Sequence, residues 1–146
     1  SGVVKFADFS FENSYGEKID KIITGEDLVL TFKLKVNKAE VKNIDLGFSF
    51  QDKYDEPIGN LYSSYQDIYY TLYEGYAEIK CTLENFSFAS GKLMVKGRIV
   101  VNGKEADWFK DVLGVIDVEI GDFYGTGKIG TTDWNSKYLF KGLWTE

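Results

Sequence analysis

Six of the chain's ten tyrosines fall within one short stretch: Tyr62, Tyr65, Tyr69, Tyr70, Tyr73 and Tyr76. A tyrosine joins a flat apolar ring to a hydrogen-bonding tip. That suits a surface that must hold something half apolar and half polar, such as a sugar with its C–H face and its rim of hydroxyls. The same cluster could seal a core or a subunit interface. The residues alone leave these readings open.

Composition removes other chemistries. The chain has 146 residues, no histidine and one cysteine, Cys81. Histidine is the commonest general base and metal ligand. Without it, Ser-His and Cys-His constellations cannot be assembled, nor can zinc sites built on His and Cys. A lone cysteine forms no internal disulfide. At an alternating apolar position it reads as a small core residue, and this usage fits a reducing compartment. The net charge of −6 argues against a nucleic-acid partner, and the scattered Lys and Arg argue against an anionic membrane surface.

Two motifs invite a chemical reading and fail it. Gly125-Thr126-Gly127-Lys128-Ile129-Gly130 matches G-x-G-x-x-G. That fingerprint needs a strand before it, a helix after it and an acid ~20 residues on. Loop and strand signals follow instead, so it reads as a flexible glycine loop. Asp52, Asp55 and Glu56 sit between two apolar runs. Their spacing is too sparse for a calcium loop, and a solvated turn is expected, with a weak metal site as the alternative. No catalytic residue, cofactor or metal ligand is assigned.

The elements that position the rest are strands. Leu28, Leu30, Phe32, Leu34 and Val36 alternate with mostly polar neighbours, and so do Ile44, Leu46, Phe48 and Phe50. The same holds for Ala77, Ile79, Cys81 and Leu83, and for Leu93, Val95, Gly97, Ile99 and Val101. Period-2 patterning of this kind marks strands with one face in a core. Weaker strands are expected at 3–11, 57–63, 112–120 and 138–144. Asn102-Gly103 is a hairpin signal, since both residues accept positive φ. The tyrosines at 62, 65, 69, 73 and 76 have helical spacing, so a helical turn within a loop is a further reading of 63–74. Together these signals predict an all-β, immunoglobulin-like or jelly-roll antiparallel β-sandwich of about eight strands, one domain over 1–146. Ser1-Gly2 looks like a cloning remnant, and the chain reads as a piece of a longer protein.

If 44–52, 57–63, 92–101 and 112–120 share a sheet, their outer faces combine Asp45, Gly47, Ser49, Asn60, Tyr62, Met94, Lys96, Arg98, Asp117 and Glu119. Gly47 would lower the floor, Tyr62 would offer a stacking face, and the polar groups would bond hydroxyls. The candidate carbohydrate contacts are Ser49, Asn60, Tyr62, Lys96, Arg98 and Asp117, with Tyr65 and Trp108 as rings carried on loops. An ordinary solvated sheet face would carry similar residues. Trp108, Trp134 and Trp144 could equally anchor loops on the sandwich edge.

The ordered strand signatures resemble a known family. Val3-Val4-Lys5-Phe6 opens the series, followed by Thr24-Gly25-Glu26 before Leu28-Val29-Leu30. Next come Asn43-Ile44-Asp45-Leu46-Gly47, Ile58-Gly59-Asn60-Leu61-Tyr62, Gly91-Lys92-Leu93, and Val118-Glu119-Ile120 before Asp122-Phe123-Tyr124-Gly125. This order is similar to the C-terminal polysaccharide-binding domain of Wzt, the ATP-binding subunit of O-antigen ABC transporters. The Tyr-rich loop departs from that pattern, which usually has small residues and Thr after the position of Asn60. The resemblance implies an immunoglobulin-like sandwich that recognises O-antigen polysaccharide, often through a terminal modification, and couples recognition to export. It implies an ATPase domain and a transmembrane subunit as partners, on the cytoplasmic side of a Gram-negative inner membrane. It also implies a homodimer made through a C-terminal strand, which would put 138–144 in the interface. A carbohydrate-binding module of a secreted enzyme and a ligand-free structural or adhesion domain are the competing readings.

Overall fold

The alternation builds the strands it predicts. The computed structural model describes residues 2–108, 112–129 and 136–146. Its strands are β1 (Val4–Glu12), β2 (Lys21–Ile23), β3 (Leu28–Gln51), β4 (Pro57–Tyr62), β5 (Tyr70–Leu83), β6 (Gly91–Val101), β7 (Lys104–Trp108) and β8 (Gly114–Glu119). The one helical element among the described residues is a 3-10 turn, Ser63–Gln66.

β3 organises the rest. The sequence reads as two strands, 28–36 and 44–52, with a polar gap between them. The structure joins them into a single strand of 24 residues. Residues 28–36 lie between β1 and β5, and residues 44–51 lie between β4 and β6. The strand passes between layers at 37–43, where its register with β5 slips twice and Asn43 takes a φ of 58°. Asparagine tolerates that left-handed conformation because its amide can bond nearby. Here Asn43 Nδ2 donates to Asn102 Oδ1 at 2.8 Å.

One layer is therefore β1-β3-β5. The other is β4-β3-β6-β8-β2, with β7 on the β6 edge beyond β8. The sheet expected from 44–52, 57–63, 92–101 and 112–120 is present. Asn102 and Gly103, with φ of 51° and 76°, fold β7 back on β6 as a two-residue hairpin. Trp108, expected in a loop, thus ends a strand. The sandwich is not wholly antiparallel, because β2 pairs with β8 in parallel. Three residues are too few to show a period.

No strand forms at 138–144. Tyr138 makes an isolated bridge to Phe88, and Leu139 N donates to Ser87 O at 3.0 Å. From Leu139 on, no bridge or strand forms, and Phe140, Leu143 and Trp144 are exposed.

The core closes through aromatic contacts within and across the layers. Phe32 packs against its β1 neighbour Phe9 at 5.1 Å and, across the layers, against Phe48 at 5.9 Å, centroid to centroid. Gly97 faces inward, and a Cβ there would lie 2.6 Å from both Phe6 Cζ and Leu113 Cδ1. Its missing side chain is the space that Phe6 fills. Buried Thr24 ties the β2 end to the 88–89 segment, its Oγ1 lying 2.7 Å from Ala89 O and 3.0 Å from Phe88 O.

Candidate functional site

Directly opposed residues in an antiparallel pair share a face. Tyr62, Gly47 and Arg98 form one such row across β4, β3 and β6, and Asn60, Ser49 and Lys96 form the next. Tyr62, Arg98, Asn60, Ser49 and Lys96, together with Gln51, line a groove of about 300 Å3 on the outer face of the larger layer. Five residues singled out from sequence, Ser49, Asn60, Tyr62, Lys96 and Arg98, thus come together.

The groove floor differs from expectation. A Cβ on Gly47 would clash with the Tyr62 ring. The glycine therefore does not open a hollow; it lets Tyr62 lie flat across the strand. Tyr65 stands beside Tyr62, with centroids 5.3 Å apart and planes at 44°. Tyr65 is placed by Asp45, which holds the start of the 3-10 turn. Asp45 Oδ1 accepts from Ser64 N at 3.0 Å, and Oδ2 accepts from Ser64 Oγ at 2.7 Å. Ser63 Oγ accepts from Leu46 N at 3.1 Å, which fastens the turn to β3.

Both cations of the groove are paired. Lys96 Nζ donates to Asp55 Oδ1 at 3.0 Å, and Arg98 Nε donates to Glu105 Oε2 at 2.8 Å. The Arg98 guanidinium is held above its ordinary value, first by the Tyr62 hydroxyl beside it and then, against desolvation, by Glu105. Pairs this exposed add little to stability. They do fix the direction of the guanidinium and cancel most of the groove's positive charge. Asp55 comes from the turn after β3, whose geometry Asp52 sets: Asp52 Oδ1 accepts from Tyr54 N at 2.8 Å and from Glu56 N at 3.0 Å. Those backbone bonds, the one from Glu56 first, hold the Asp52 carboxyl below its usual range. The carboxylates at 52–56 thus build a turn. Among the described residues no group of His, Cys, Asp or Glu could hold a metal ion.

Sequence reasoning passed over Gln51. It is buried, its Nε2 donates to Ser49 Oγ at 2.7 Å, and its Oε1 has no hydrogen-bond partner among the described residues. Its parity with Gly47 and Ser49 was the available signal. The counter-ions Asp55 and Glu105 were also missed, since no spacing rule joins them to Lys96 and Arg98.

Other candidates fall elsewhere. Asp117 is exposed on the same sheet, but it pairs with Lys92 and does not line the groove. Lys92 is four residues along β6 from Lys96, about 13 Å at strand rise. Trp108 is placed by its backbone alone, opposite Arg98. Trp134 lies outside the described residues. Tyr70, Tyr73 and Tyr76 belong to β5 in the other layer. Tyr76 there carries Lys35 Nζ at 4.4 Å and Lys33 Nζ at 4.8 Å over its ring. The glycine-rich segment is a loop around Asp122, whose carboxylate accepts from Thr126 N and Gly127 N. Gly130 lies outside the described residues.

No protein-family model matches the sequence, and no curated protein matches it. Solved structures do match the fold. A Niemann-Pick type C2 protein from Japanese carpenter ant matches with a TM-score of 0.55 at 16% identity, over 80% of this chain and 92% of that one. A β-glucuronidase from glycoside hydrolase family 2 matches with a TM-score of 0.52 at 13% identity, over 76% of this chain but 12% of the enzyme. The C-terminal domain of wzt matches with a TM-score of 0.75 at 12% identity, over 100% of this chain and 86% of that one. Across its whole length, then, the chain has the fold of the C-terminal domain of wzt.

Proposed function

We propose that this chain is a non-catalytic carbohydrate-binding domain that recognises O-antigen polysaccharide and couples that recognition to export by an ABC transporter. The observation that carries the reading is the groove itself. A flat tyrosine ring lies beside amide, hydroxyl and paired charged groups on one rigid sheet face, within a fold like that of the C-terminal domain of wzt. Tyr62, with Tyr65 behind it, stacks on a sugar C–H face. Ser49, Asn60, Gln51 and the free hydrogen-bonding positions of Lys96 and Arg98 bond hydroxyls. The unpartnered Gln51 Oε1 supports this, because a buried acceptor without a donor costs stability that a sugar hydroxyl would recover.

The ligand is a neutral glycan. Each cation already faces a carboxylate, and the chain carries a net charge of −6, so an anionic cap would displace paired acids and meet a repulsive field. Each site is weak, because hydroxyls must leave water. A homodimer offers avidity. The exposed tail residues Phe140, Leu143 and Trp144 are the surface for the second copy. The ATPase domain and the transmembrane subunit are the further partners, at the cytoplasmic face of the inner membrane. A second reading is a glycan-binding module of a secreted enzyme; the β-glucuronidase match shows a similar fold within part of a glycoside hydrolase. The parent gene separates the two, by an upstream Walker motif or by a signal peptide.

The test is calorimetric titration of the domain with O-polysaccharide from its own source and with unrelated neutral and anionic polysaccharides. Cognate binding is expected to change little between low and high salt. Tyr62→Ala should weaken it by roughly 2- to 12-fold, the value of one aromatic contact at about 0.5–1.5 kcal/mol. If the folded protein ignores the cognate polymer, or if Tyr62→Ala and Arg98→Ala both keep full affinity, the reading is wrong.

A further inference from the structure

The two layers do not close completely on one side. Where β4 ends and β5 begins, a cavity of about 210 Å3 lies between them. Its inner wall is Phe32, Phe48 and Ile79, all buried. Tyr70 and Cys81 flank it half-buried, and Ile68 stands at the opening, 45% exposed. Protein interiors pack like organic crystals, with few voids larger than a water. A cavity lined by carbon stays dry, and one of ~150 Å3 already admits benzene.

The tyrosine-rich segment, only part of which serves the groove, frames this opening through Ser63, Gln66, Ile68 and Tyr70. Burial pushes both the Tyr70 hydroxyl and the Cys81 thiol above their usual values, so the wall beside them is poorly solvated. The cavity is separate from the groove. Leu61 lines the cavity, whereas its neighbours Asn60 and Tyr62 line the groove, on the other face of β4.

We infer that this inter-layer cavity is a second binding site, for an uncharged apolar group about the size of one six-membered ring, with a single hydroxyl or ether at the mouth. The apolar wall excludes a bare sugar, whose hydroxyls would find no partners there. Polar groups come from the rim, at Ser63, Gln66, Lys80 and Thr82, and Gln66 beside the opening receives the one oxygen. The inference stands whether or not the groove binds glycan.

Cys81 is the chain's one cysteine, so its alkylation reports on this wall alone. The probe is p-cresol, with methyl glucoside as a control of similar ring size and many hydroxyls. If only the empty cavity exposes the thiol, p-cresol at ten times its Kd should slow iodoacetamide alkylation about tenfold, with saturation. Methyl glucoside should leave the rate unchanged. NMR shifts caused by p-cresol should centre on Ile79, Ile68 and Tyr70. Ile68→Asp places a charge at an already exposed position, so folding is not at risk, and it should weaken p-cresol severalfold. The inference is overturned if alkylation shows no saturable slowing, if shifts fall outside the cavity wall, or if Ile68→Asp binds p-cresol as well as the parent protein does.

Discussion

Two glycines on neighbouring strands offer a direct test of the site's architecture. Gly47 on β3 and Gly97 on β6 sit one register apart, Gly47 opposite Arg98 and Gly97 opposite Phe48. They face opposite sides of the same sheet. An alanine at either position gains about 0.5–1 kcal/mol, because glycine loses more backbone entropy in a strand. What opposes that gain differs. At Gly97 the new methyl meets Phe6 Cζ and Leu113 Cδ1 at 2.6 Å and Phe6 Cε2 at 3.0 Å. Phe6 packs against the core, so relief needs a shift between layers, and such overpacking costs about 1–3 kcal/mol. At Gly47 the atoms nearest the methyl belong to the Tyr62 ring, which is half-buried at the surface and can swing away. An off-rotamer tyrosine costs about 0.5–1.5 kcal/mol, which roughly cancels the gain. Gly97→Ala should therefore lose up to about 2.5 kcal/mol net, centred near 1 kcal/mol, or roughly 2–4 °C in Tm at the centre for a chain of this size. Gly47→Ala should melt close to the parent, yet bind cognate glycan as poorly as Tyr62→Ala, because the stacking ring has left the floor. Differential scanning calorimetry and titration on both variants decide it. A Gly47→Ala protein with unchanged glycan affinity would show that the ring's flat placement contributes nothing to binding. A Gly97→Ala protein as stable as the parent would refute the packing argument.

Other outcomes follow from buried polar groups. Thr24→Val should lower stability by about 1–3 kcal/mol in urea unfolding, since it removes the one hydroxyl that reaches the carbonyls of Phe88, Ala89 and Glu119; an unchanged midpoint would show that those contacts are idle. Glu12 is buried on β1, and its carboxyl is held below the ordinary 4.5, first by the hydrogen bond from Lys80. A lowered folded pKa means that its contribution is present above about 4.5 and is lost as pH falls through the folded value. Tm measured against pH should therefore fall more steeply below that point in the parent than in Glu12→Gln, which should also melt lower at neutral pH. Parallel curves would remove Glu12 from the acid response.

The strand pattern was legible because burial on one face forces a period of two. The parity of Leu28 to Val36 and of Ile44 to Phe50 survives unchanged in β3. That alternation also placed Ser49, Asn60, Tyr62, Lys96 and Arg98 on one face, once the four strands were assigned to one sheet. The helical spacing of the tyrosines misled in part. It matched one 3-10 turn at Ser63–Gln66, after which β5 begins at Tyr70 and carries Tyr70, Tyr73 and Tyr76 to the other layer.

The sequence by itself determined which residues face a core, where Asn102-Gly103 turns the chain, and that catalysis by histidine is absent. Only the tertiary structure decided that β3 crosses both layers, that β2 joins β8 in parallel, and that Tyr62 lies in the space Gly47 vacates. It also decided the partners of the groove's cations, Asp55 for Lys96 and Glu105 for Arg98. The physical reason is range. Alternation is written locally by burial along one strand, whereas a ring over a glycine or a carboxylate beside an amine depends on which strands become neighbours. The open side of the sandwich is the clearest case, because its cavity belongs to no segment and exists only where two layers fail to meet.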